Sequence, residues 1–433
     1  MRYGKLIVFC ILLACVLLIG CTQSSVSSAP QPSDLVVTGK PVMEHTSVEI
    51  VLSTKAPATA VPTAEPSPTP VPEPSRVTIG AVGDIMATQG LISAAEVSNG
   101  YDFSPVLGQI APLWADVDIM CANLETVLGG VSTDYSQGTG TGIQTFSAPD
   151  ELIGNLRGAG FTVLTTANNH CMDRGLEGAI RTIEVLRKEG IVQTGTYVSG
   201  EDRKPCIVEC NGIKVGILAS TSRINERTKY ISTAEELTHV NKLFDGQRQV
   251  TAELISDVDS LREAGAEYII LFAHWDKEYQ DKPEKETRAL AYDLIAAGVD
   301  CILGSHPHVV QEFEYITVER ADGKYTGLVC YSMGNFIANE SDTATYGMFV
   351  KLTLEKDYSG KVALCDLSYA PTCIFRSASG GYEIHPALPN MPTTTMFLEE
   401  TDRINTLKLR AYDHVTKICR NSEVAHVMED YAK

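Results

Sequence analysis

Positive charge is scarce in this sequence. Its 433 residues include 35 Lys and Arg against 54 Asp and Glu, which gives a formal net charge of -19 and a pI near 4.9. Such a surface repels phosphate backbones, so the composition argues against nucleic acid or an anionic membrane surface as a partner. An acidic polymer could bind only at a local positive centre, which a bound metal pair could supply.

The sequence also lacks a second cysteine pair with zinc-site spacing. Cys206 and Cys210 form a C-x3-C that could be a disulfide or a weak ligand pair. Without the three cysteines of the N-terminal segment, nine remain, an odd number that cannot all pair within one chain. We therefore assign no disulfide. Cysteines inside apolar runs are expected to be buried thiols, namely Cys121, Cys301 and Cys330.

The N-terminal apolar run is too short for a comfortable membrane span and follows Arg2 and Lys5, which is typical of an export signal. It ends in Leu-Ile-Gly-Cys, which resembles a bacterial lipobox. Residues 1–21 are thus predicted to be a lipoprotein signal peptide, with Cys21 as the lipidated first residue of the mature protein. The alternative is an uncleaved N-terminal anchor helix. Either arrangement would hold the body at the extracytoplasmic face of the cell membrane.

Residues 22–75 are poor in large apolar side chains and end in "PTAEPSPTPVPEPS". Such a segment cannot bury enough surface to offset its ordering entropy, so a disordered Pro/Ser/Thr-rich tether is predicted. Some strand-like alternation in residues 34–54 leaves a small hairpin open. Residues 76–433 are predicted to form the folded domain, with a helical extension at its C-terminal end.

Strands and helices alternate through the first part of this domain. Apolar runs such as "RVTIGAVGD", "AEYIILFAHWD" and "VDCILGSHPH" each finish in polar residues, and amphipathic helical segments separate them. This alternation predicts an α/β fold with parallel crossover units, whose ligand site lies beyond the carboxyl ends of the strands. The later segments lack intervening helices, so we expect them to form a second, antiparallel sheet packed on the first.

Polar side chains at these strand ends predict a metal centre. In "LGSHPHVV", an extended backbone would send His306 and His308 to the same side of the chain. Carboxylates, an amide and imidazoles together suit Mn, Fe or Zn and a two-metal site with a shared carboxylate. The candidate residues are Asp84, Glu125, Asn169, His170, His274, His306 and His308.

The ordered series "VGDIM", "NLET", "TTANNHCMDRG", "FAHWD", "GSHPHVVQ" and "YSMGNF" resembles the bacterial CapA family of poly-γ-glutamate capsule synthesis proteins. That family is similar in turn to the calcineurin-like metallophosphoesterases. The resemblance covers residues 76–339. It implies a metallophosphatase-like fold, a four-layer double β-sandwich flanked by helices.

The resemblance also implies roles for the candidate residues. Asp84 would be the first metal carboxylate, Glu125 would stand where the superfamily has a bridging Asp, and Asn169 would be an amide ligand. One site would then hold its ion through Glu125, Asn169 and two imidazoles, and the other through two carboxylates and one imidazole. The remaining imidazole ligands would be His274 and His306 in the first site and His308 in the second.

Further residues are assigned catalytic or supporting roles. His170 would be the proton donor or a transition-state stabiliser near the leaving group. Asp276 could orient a ligand imidazole or merely cap a helix. Asn123 is a possible helper at the second site, and Asn335 lies in a Gly-Asn turn that is either structural or in contact with substrate.

Two departures put ordinary phosphoesterase activity in doubt. The superfamily places a histidine two residues after its first Asp, where this chain has Met86. A thioether is a poor substitute for imidazole toward a borderline divalent ion, so the site of Asp84 should bind more weakly. Glu125 is one methylene longer than Asp, which alters the separation of the two ions.

Three functions are therefore considered. The first is synthesis, export or attachment of poly-γ-glutamate or a related anionic envelope polymer, by a lipid-anchored protein with a two-metal hydrolase-like site. The second is a non-catalytic module that binds or assembles such a polymer, and the third is a metal-dependent phosphoesterase. The expected partners are the polymer, the membrane and other membrane proteins of capsule synthesis, with no nucleic acid.

Overall fold

A computed structural model describes the chain at residues 50–51, 74–136, 144–225, 238–245, 248–321, 323–338, 340–419 and 424–428. All of these residues belong to one compact unit, Ser47–Lys433. The predicted signal peptide with Cys21 and most of the predicted tether lie outside the described residues. Within the tether stretch, Ile50–Val51 forms a short strand that pairs in parallel with Ile207–Cys210.

The described elements follow the predicted alternation through most of the chain. The helices are α1 Gln89–Ala95, α2 Ser104–Leu107, α3 Glu151–Gly158, α4 Gly175–Lys188, α5 Ala252–Glu263, α6 Lys285–Ala296 and α7 Thr401–Cys419. The strands are β1 Ile50–Val51, β2 Ser75–Ile85, β3 Glu96–Val97, β4 Gly100–Tyr101, β5 Ile119–Leu124, β6 Val163–Thr165, β7 Val192–Thr194, β8 Ile207–Cys210, β9 Ile213–Thr221, β10 Tyr268–His274, β11 Cys301–Ser305, β12 Phe313–Arg320, β13 Gly323–Cys330, β14 Asn335–Ile337, β15 Tyr346–Lys356, β16 Val362–Arg376, β17 Tyr382–Pro386 and β18 His426–Val427. Among the residues that the structure describes, no helix combines the length and apolar character needed to cross a membrane.

The strands form two large mixed sheets. One has the order β1-β8-β9-β10-β11-β13-β12, and the other has the order β17-β16-β15-β2-β5-β6-β7, with β14 paired to β2 and β18 to β16. The predicted division into one parallel and one antiparallel sheet is therefore wrong. Each sheet has a parallel centre and an antiparallel edge, because β12–β13 extends one sheet and β15–β16–β17 extends the other.

Alternating side chains divide the apolar residues between the layers. Along β10, Ile270 and Phe272 point into the core between the sheets, whereas Ile269 and Leu271 point to the outer face. A strand that is buried on both sides reads as a continuous apolar run for this reason. On the nine-stranded sheet, Cys121 of β5 likewise joins the inner core.

Helices cover both outer faces. Leu254 of α5 and Leu294 of α6 pack on the seven-stranded sheet, and Leu152 of α3 packs on the outer face of the nine-stranded sheet. The result is four layers, helix on sheet on sheet on helix, so the predicted α/β double sandwich flanked by helices is confirmed. Near its C-terminal end, α7 adds Val415 and Cys419 to the core between the sheets.

The cysteine predictions can be checked in the same core. Cys121, Cys301 and Cys330 are buried thiols, as predicted, and Cys206 and Cys210 form no disulfide.

The end of β11 passes so close to the backbone at Tyr331 that only glycine fits at position 304. A Cβ atom there would overlap the carbonyl oxygen of Tyr331 and lie 2.8 Å from Trp275 Nε1. That indole nitrogen donates a hydrogen bond of 2.9 Å to the same carbonyl. Gly304 therefore sets how close β11 and the loop that follows it can come to their neighbours.

Gly304→Ala should lower the free energy of unfolding by about 1–3 kcal/mol or more, because buried backbone would have to shift to admit the methyl group. Gly154→Ala is the matched control. Gly154 lies inside α3, where an added Cβ would meet no other atom within 4 Å, so the same change should stabilise the protein by about 0.5–1 kcal/mol. Urea unfolding of both variants measures these changes. Equal effects of the two substitutions would contradict this account of Gly304.

Candidate metal centre

The predicted site residues from both sheets meet at one edge of the sandwich. Asp84 lies near the end of β2 and Glu125 directly follows β5, both in the nine-stranded sheet. His274 ends β10 and His306 follows β11, both in the seven-stranded sheet. The strands that carry them are parallel within each sheet, so their carboxyl ends lie at the same edge.

These side chains form two groups with metal-ligand spacing. In one group, Glu125, His274 and His306 offer ligand atoms within 4.8 Å of one another, and in the other Asp84, Glu125 and His308 do so. Glu125 belongs to both groups, and all five residues are buried. Glu125 is the carboxylate that the two groups have in common.

His306 and His308 converge, although not through an extended backbone. Their φ angles are +93° and +59°, so the residues after β11 turn through left-handed conformations instead of continuing the strand. Their ring centroids are nevertheless 5.7 Å apart. Asp84 holds this turn, since its Oδ2 accepts a hydrogen bond of 3.1 Å from the backbone N–H of His306. Side chains seldom adopt such backbone conformations without surrounding contacts that fix them.

Ser305 and Asn169 fix the ring of His274. Its Nδ1 lies 3.0 Å from Ser305 Oγ, and its Nε2 lies 2.9 Å from Asn169 Oδ1. The same Nε2 is 3.4 Å from Glu125 Oε1. A hydrogen bond on one ring nitrogen orients the other, so Nε2 would be the atom of His274 that faces a metal ion beside Glu125 and Asn169.

Asn123 supports the carboxylates through its amide N–H groups. Its Nδ2 donates to Asp84 Oδ1 at 2.7 Å and lies 3.5 Å from Glu125 Oε2. The amide oxygen of Asn123 accepts a hydrogen bond of 3.1 Å from Asn168, which also donates to the Leu124 carbonyl at 2.8 Å. Asn123 thus positions ligands, and Asn168 is a supporting residue that sequence reasoning missed.

His170 is oriented by Asp173. Its Nδ1 lies 2.7 Å from Asp173 Oδ2, which also accepts from the Phe146 N–H at 2.6 Å. The other ring nitrogen lies 3.4 Å from Asn225 Nδ2, and the Phe146 ring packs against the imidazole with a centroid distance of 4.4 Å. An acid three residues after a histidine in a turn was a signal available in the sequence, because such a spacing lets the two side chains meet.

Asp276 has a structural role instead. Its carboxylate accepts hydrogen bonds from the backbone N–H groups of Lys277 at 2.9 Å and Glu284 at 3.1 Å. Glu284 is the N-cap of α6. The sequence predicts that Asp276 either orients a ligand imidazole or caps a helix. These contacts favour the capping role, so the catalytic assignment of Asp276 is corrected. The φ of +71° at Asp276 turns the chain away from the strand direction of His274.

Asn335 supports His308. Its Oδ1 lies 3.0 Å from His308 Nδ1, which is also 3.2 Å from Asp84 Oδ2, and its Nδ2 donates to the Ala344 carbonyl at 2.9 Å. These contacts use both ends of the Asn335 amide. Asn335 therefore fixes the orientation of the His308 ring.

Met86 lies in a small apolar cluster with Phe146 and Ala338. Its side chain is 2% exposed and adds no nitrogen or oxygen ligand to the group of Asp84, Glu125 and His308. That group is consequently the poorer of the two in imidazole.

Burial and charge separate the pKa values of the acids. For Asp84, burial acts to raise the pKa, but the hydrogen bond and the charge of His308 lower it overall. For Glu125, burial and the negative charge of Asp84 raise the pKa well above its ordinary value. Two buried carboxylates this close cannot both ionise without a cation.

The pKa values of the three buried histidines in these groups also differ. Burial lowers the pKa of His274 to about 3 and that of His306 well below its ordinary value. Burial alone would also lower the pKa of His308, but the carboxylates of Glu125 and Asp84 raise it to about 10. Near neutral pH, His274 and His306 are thus neutral imidazoles, the form that binds metal ions.

The residues present fit divalent cations. Glu125 Oε1 and His306 Nδ1 are buried and have no hydrogen-bond partner among the described residues. Unsatisfied buried polar atoms are rare and point to an absent ion or water. Carboxylates, an amide oxygen and neutral imidazoles suit Mn, Fe or Zn.

Two charged residues at the rim were not predicted. Arg223 Nη2 donates to His306 Nε2 at 2.6 Å and lies 3.3 Å from Glu278 Oε1. Glu278 also forms a third group of possible ligand atoms with His306 and His308, although it is itself exposed. Neither residue lies in a motif at a strand end, so no local pattern pointed to them.

Comparisons with known proteins identify a family for this chain. Residues 78–340 match the family described as "Bacterial capsule synthesis protein PGA_cap". The capsule biosynthesis protein CapA of Bacillus anthracis is 30% identical over 275 residues, which are 63% of this chain and 62% of that protein. The PGA biosynthesis protein CapA of Bacillus subtilis (strain 168) is 27% identical over 284 residues, 65% of this chain and 68% of that protein.

Among solved structures, the NAD nucleotidase NadN of Haemophilus influenzae has a TM-score of 0.43 and 13% sequence identity, covering 83% of this chain and 65% of that chain. A likeness at that level is too weak to support an inference about activity. The chain spans 62% of the length of the Bacillus anthracis relative. The family match extends over more than half of the sequence and includes every group of the metal centre. The chain therefore belongs to the bacterial capsule synthesis protein PGA_cap family.

Proposed function

We propose that this protein acts in the synthesis, export or attachment of poly-γ-glutamate or a related anionic envelope polymer, as a metal-dependent hydrolase. The observation that carries the proposal is the buried carboxylate of Glu125 shared by two ligand groups, beside a histidine held by an acid. The names of the two Bacillus relatives support the choice of polymer.

Each ligand group would hold one divalent ion. Glu125, Asn169, His274 and His306 would hold the first, and Asp84, Glu125 and His308 would hold the second. Bound ions of this kind act as Lewis acids. They would lower the pKa of water, so that hydroxide could attack a substrate near neutral pH. Burial of both groups excludes bulk water, which strengthens every charge interaction inside the site.

His170 would donate the proton to the leaving group. Asp173 holds Nδ1 of the ring at 2.7 Å, which leaves Nε2 as the nitrogen that can exchange a proton with substrate. The carboxylate of Asp173 also stabilises the protonated imidazole. Asn225, 3.4 Å from Nε2, lies where it can position the atom that receives the proton.

A second function remains a candidate because of Met86. Met86, which is buried, occupies the sequence position at which the resembled superfamily has a histidine, so the ligand group of Asp84 would lack that imidazole. A site with one weakly held ion could bind carboxylates of a polymer without cleaving it. The protein would then be a binding or assembly module on the same fold.

His274→Ala and His170→Ala should separate these functions. His274→Ala removes a ligand, so bound metal and hydrolysis should both fall. His170→Ala should keep its metal and lose about 10²–10⁴-fold in rate, since it removes only the proton donor. Metal analysis of the purified full chain and hydrolysis of a γ-linked glutamate polymer and of an aryl phosphate measure both quantities.

His426→Ala is the matched control, because His426 is exposed and outside the site. It should change neither metal content nor rate. Unchanged metal and unchanged hydrolysis in His274→Ala would refute the metal assignment. Metal binding without hydrolysis of either substrate by the wild-type protein would favour the binding module, and cleavage of the phosphate alone would favour a phosphoesterase.

Metal affinity should rise with pH between about 6 and 9, because an ion must displace protons from its ligands. The pKa of His308 is raised to about 10, so below that pH this group carries a proton that binding removes; the pKa of Glu125 is raised as well. His274 and His306 have lowered pKa values and lose no proton on binding. Each displaced proton should strengthen binding by about tenfold per pH unit below the pKa of its group. Metal titrations at several pH values test this, and an affinity independent of pH would contradict the assigned charge states.

We also propose that the protein is a lipoprotein anchored through Cys21 at the extracytoplasmic face of the cell membrane. Cys21→Ser should release the protein from the membrane fraction or leave its precursor unprocessed. Cys15→Ser, which alters the same apolar run six residues earlier, should leave processing and anchoring intact. Fractionation combined with mass analysis of the mature N terminus measures both. Normal processing and anchoring of Cys21→Ser would show that another segment holds the protein.

A further inference from the structure

A cavity of about 520 Å³ lies between α7 and the end of β16. Its walls come from the first turns of α7, the end of β16, Tyr382 of β17 and the chain that follows β14. None of the proposed metal ligands lines it. The cavity is therefore a separate feature from the buried ligand groups.

Three arginines line this cavity, in a chain whose net charge is -19. They are Arg376 at the end of β16 and Arg403 and Arg410 on α7, and all three are exposed. Arg403 forms an ion pair with Glu400. Neither Arg376 nor Arg410 forms an ion pair with a carboxylate of the described residues. Within the described part of the chain, two guanidinium groups thus line the cavity without a direct ion pair, although the carboxylates of Glu340 and Asp402 line it as well.

The residues of α7 that line the cavity lie on one face of the helix. Thr406 and Leu407 lie three and four residues after Arg403, and Arg410 lies four and three residues after them, so the four residues share one face of the helix. All four line the cavity. The two arginines are two turns apart on this face, about 10 Å along the helix axis. Because Arg403 is paired with Glu400, Arg410 is the arginine of this face that remains for a ligand, together with Arg376 at the end of β16.

Apolar surface lies between the charges. Ile374 and Phe375 of β16 line the cavity together with Leu407. The guanidinium of Arg403 lies 5.2 Å from the centroid of the Phe375 ring, and that of Arg376 lies 5.8 Å from the centroid of the Tyr382 ring. Stacking on these rings limits the motion of both side chains while leaving their N–H groups open to a ligand.

The cavity adjoins the metal centre through the chain after β14. Ala338 lines the cavity and also packs with Met86 and Phe146, and Phe146 lies against His170. Glu340, another lining residue, is close enough to His308 for the charge of that imidazole to affect its carboxyl group. A chain lying in the cavity could therefore extend toward the ligand groups.

We propose that this cavity binds successive free carboxylates of an anionic polymer, which in a γ-linked glutamate chain are the α-carboxylates, and guides the chain to the proposed metal centre. This inference rests on the proposed function, whose polymer carries one carboxylate per residue on an apolar and amide backbone. Arg376 and Arg410 would bind carboxylates through paired N–H groups, the geometry in which guanidinium recognises that anion. The apolar wall would contact the methylene groups between them.

The test is binding of a short γ-linked glutamate oligomer to the metal-loaded full chain. The double variant Arg376→Gln and Arg410→Gln should weaken the Kd by about tenfold or more, since each charge-assisted contact contributes substantially. This difference should shrink at about 1 M salt, where charges are screened beyond about 3 Å. The matched control is Arg157→Gln with Arg187→Gln, which removes two exposed charges on α3 and α4 away from the cavity. It should change the Kd by less than about twofold.

Bound metal and melting temperature are measured on each variant, and Arg410→Glu provides a second variant in which like charges repel the ligand. Equal binding by the wild type and the double variant would overturn the cavity proposal while leaving the metal-dependent function intact. No binding of the oligomer by the wild type would overturn it as well, and binding only of a poly(glycerol phosphate) oligomer would reject both the carboxylate assignment and the polymer proposed above. Loss of metal in His274→Ala with unchanged oligomer binding would support the cavity as a site separate from the metal centre.

Discussion

Two buried carboxylates that cannot both carry an uncompensated charge dominate this structure. Asp84 and Glu125 are fully buried at one edge of the sandwich. The charge of His308 and the amide of Asn123 stabilise Asp84, but one oxygen of Glu125 is left without a hydrogen bond among the described residues. Burial of an unpaired charge is costly, so this arrangement favours either a proton on Glu125 or a bound cation beside it.

The same carboxylates connect the two sheets. Asp84 belongs to the nine-stranded sheet, yet its Oδ2 accepts from the backbone of His306, which follows a strand of the seven-stranded sheet. Asn169 and His274 make a second contact between the sheets at 2.9 Å. The close crossing at Gly304 brings the turn of His306 near enough for the first contact. Packing of the sandwich and geometry of the site are therefore fixed by the same few residues.

Strand ends and ligand types could be predicted from local patterns, whereas strand pairing and the orientation of side chains could not. Apolar runs that end in His274 or His306 marked the strand ends, because metal chemistry restricts the residue types found there. The division of strands between the sheets was predicted wrongly, since pairing depends on contacts between residues far apart in the chain. The extended backbone expected at His306 failed for a similar reason, as Asp84 holds the turn from more than two hundred residues away. Asp276 and Asp173 both follow a histidine closely, and only the backbone conformation separates their roles.

Net charge constrains what such a site can bind. A protein with a charge of -19 repels an anionic polymer at long range, so any productive encounter must rely on short-range positive centres. Screening at physiological salt limits the long-range repulsion to about 8 Å, which lets local groups decide. Cations held by Glu125 and its neighbours would provide one such centre, and the arginines beside α7 provide another next to it. If the proposed polymer is the ligand, an overall acidic surface would discourage its nonspecific binding, and the two centres would select the segment that reaches the proposed metal site.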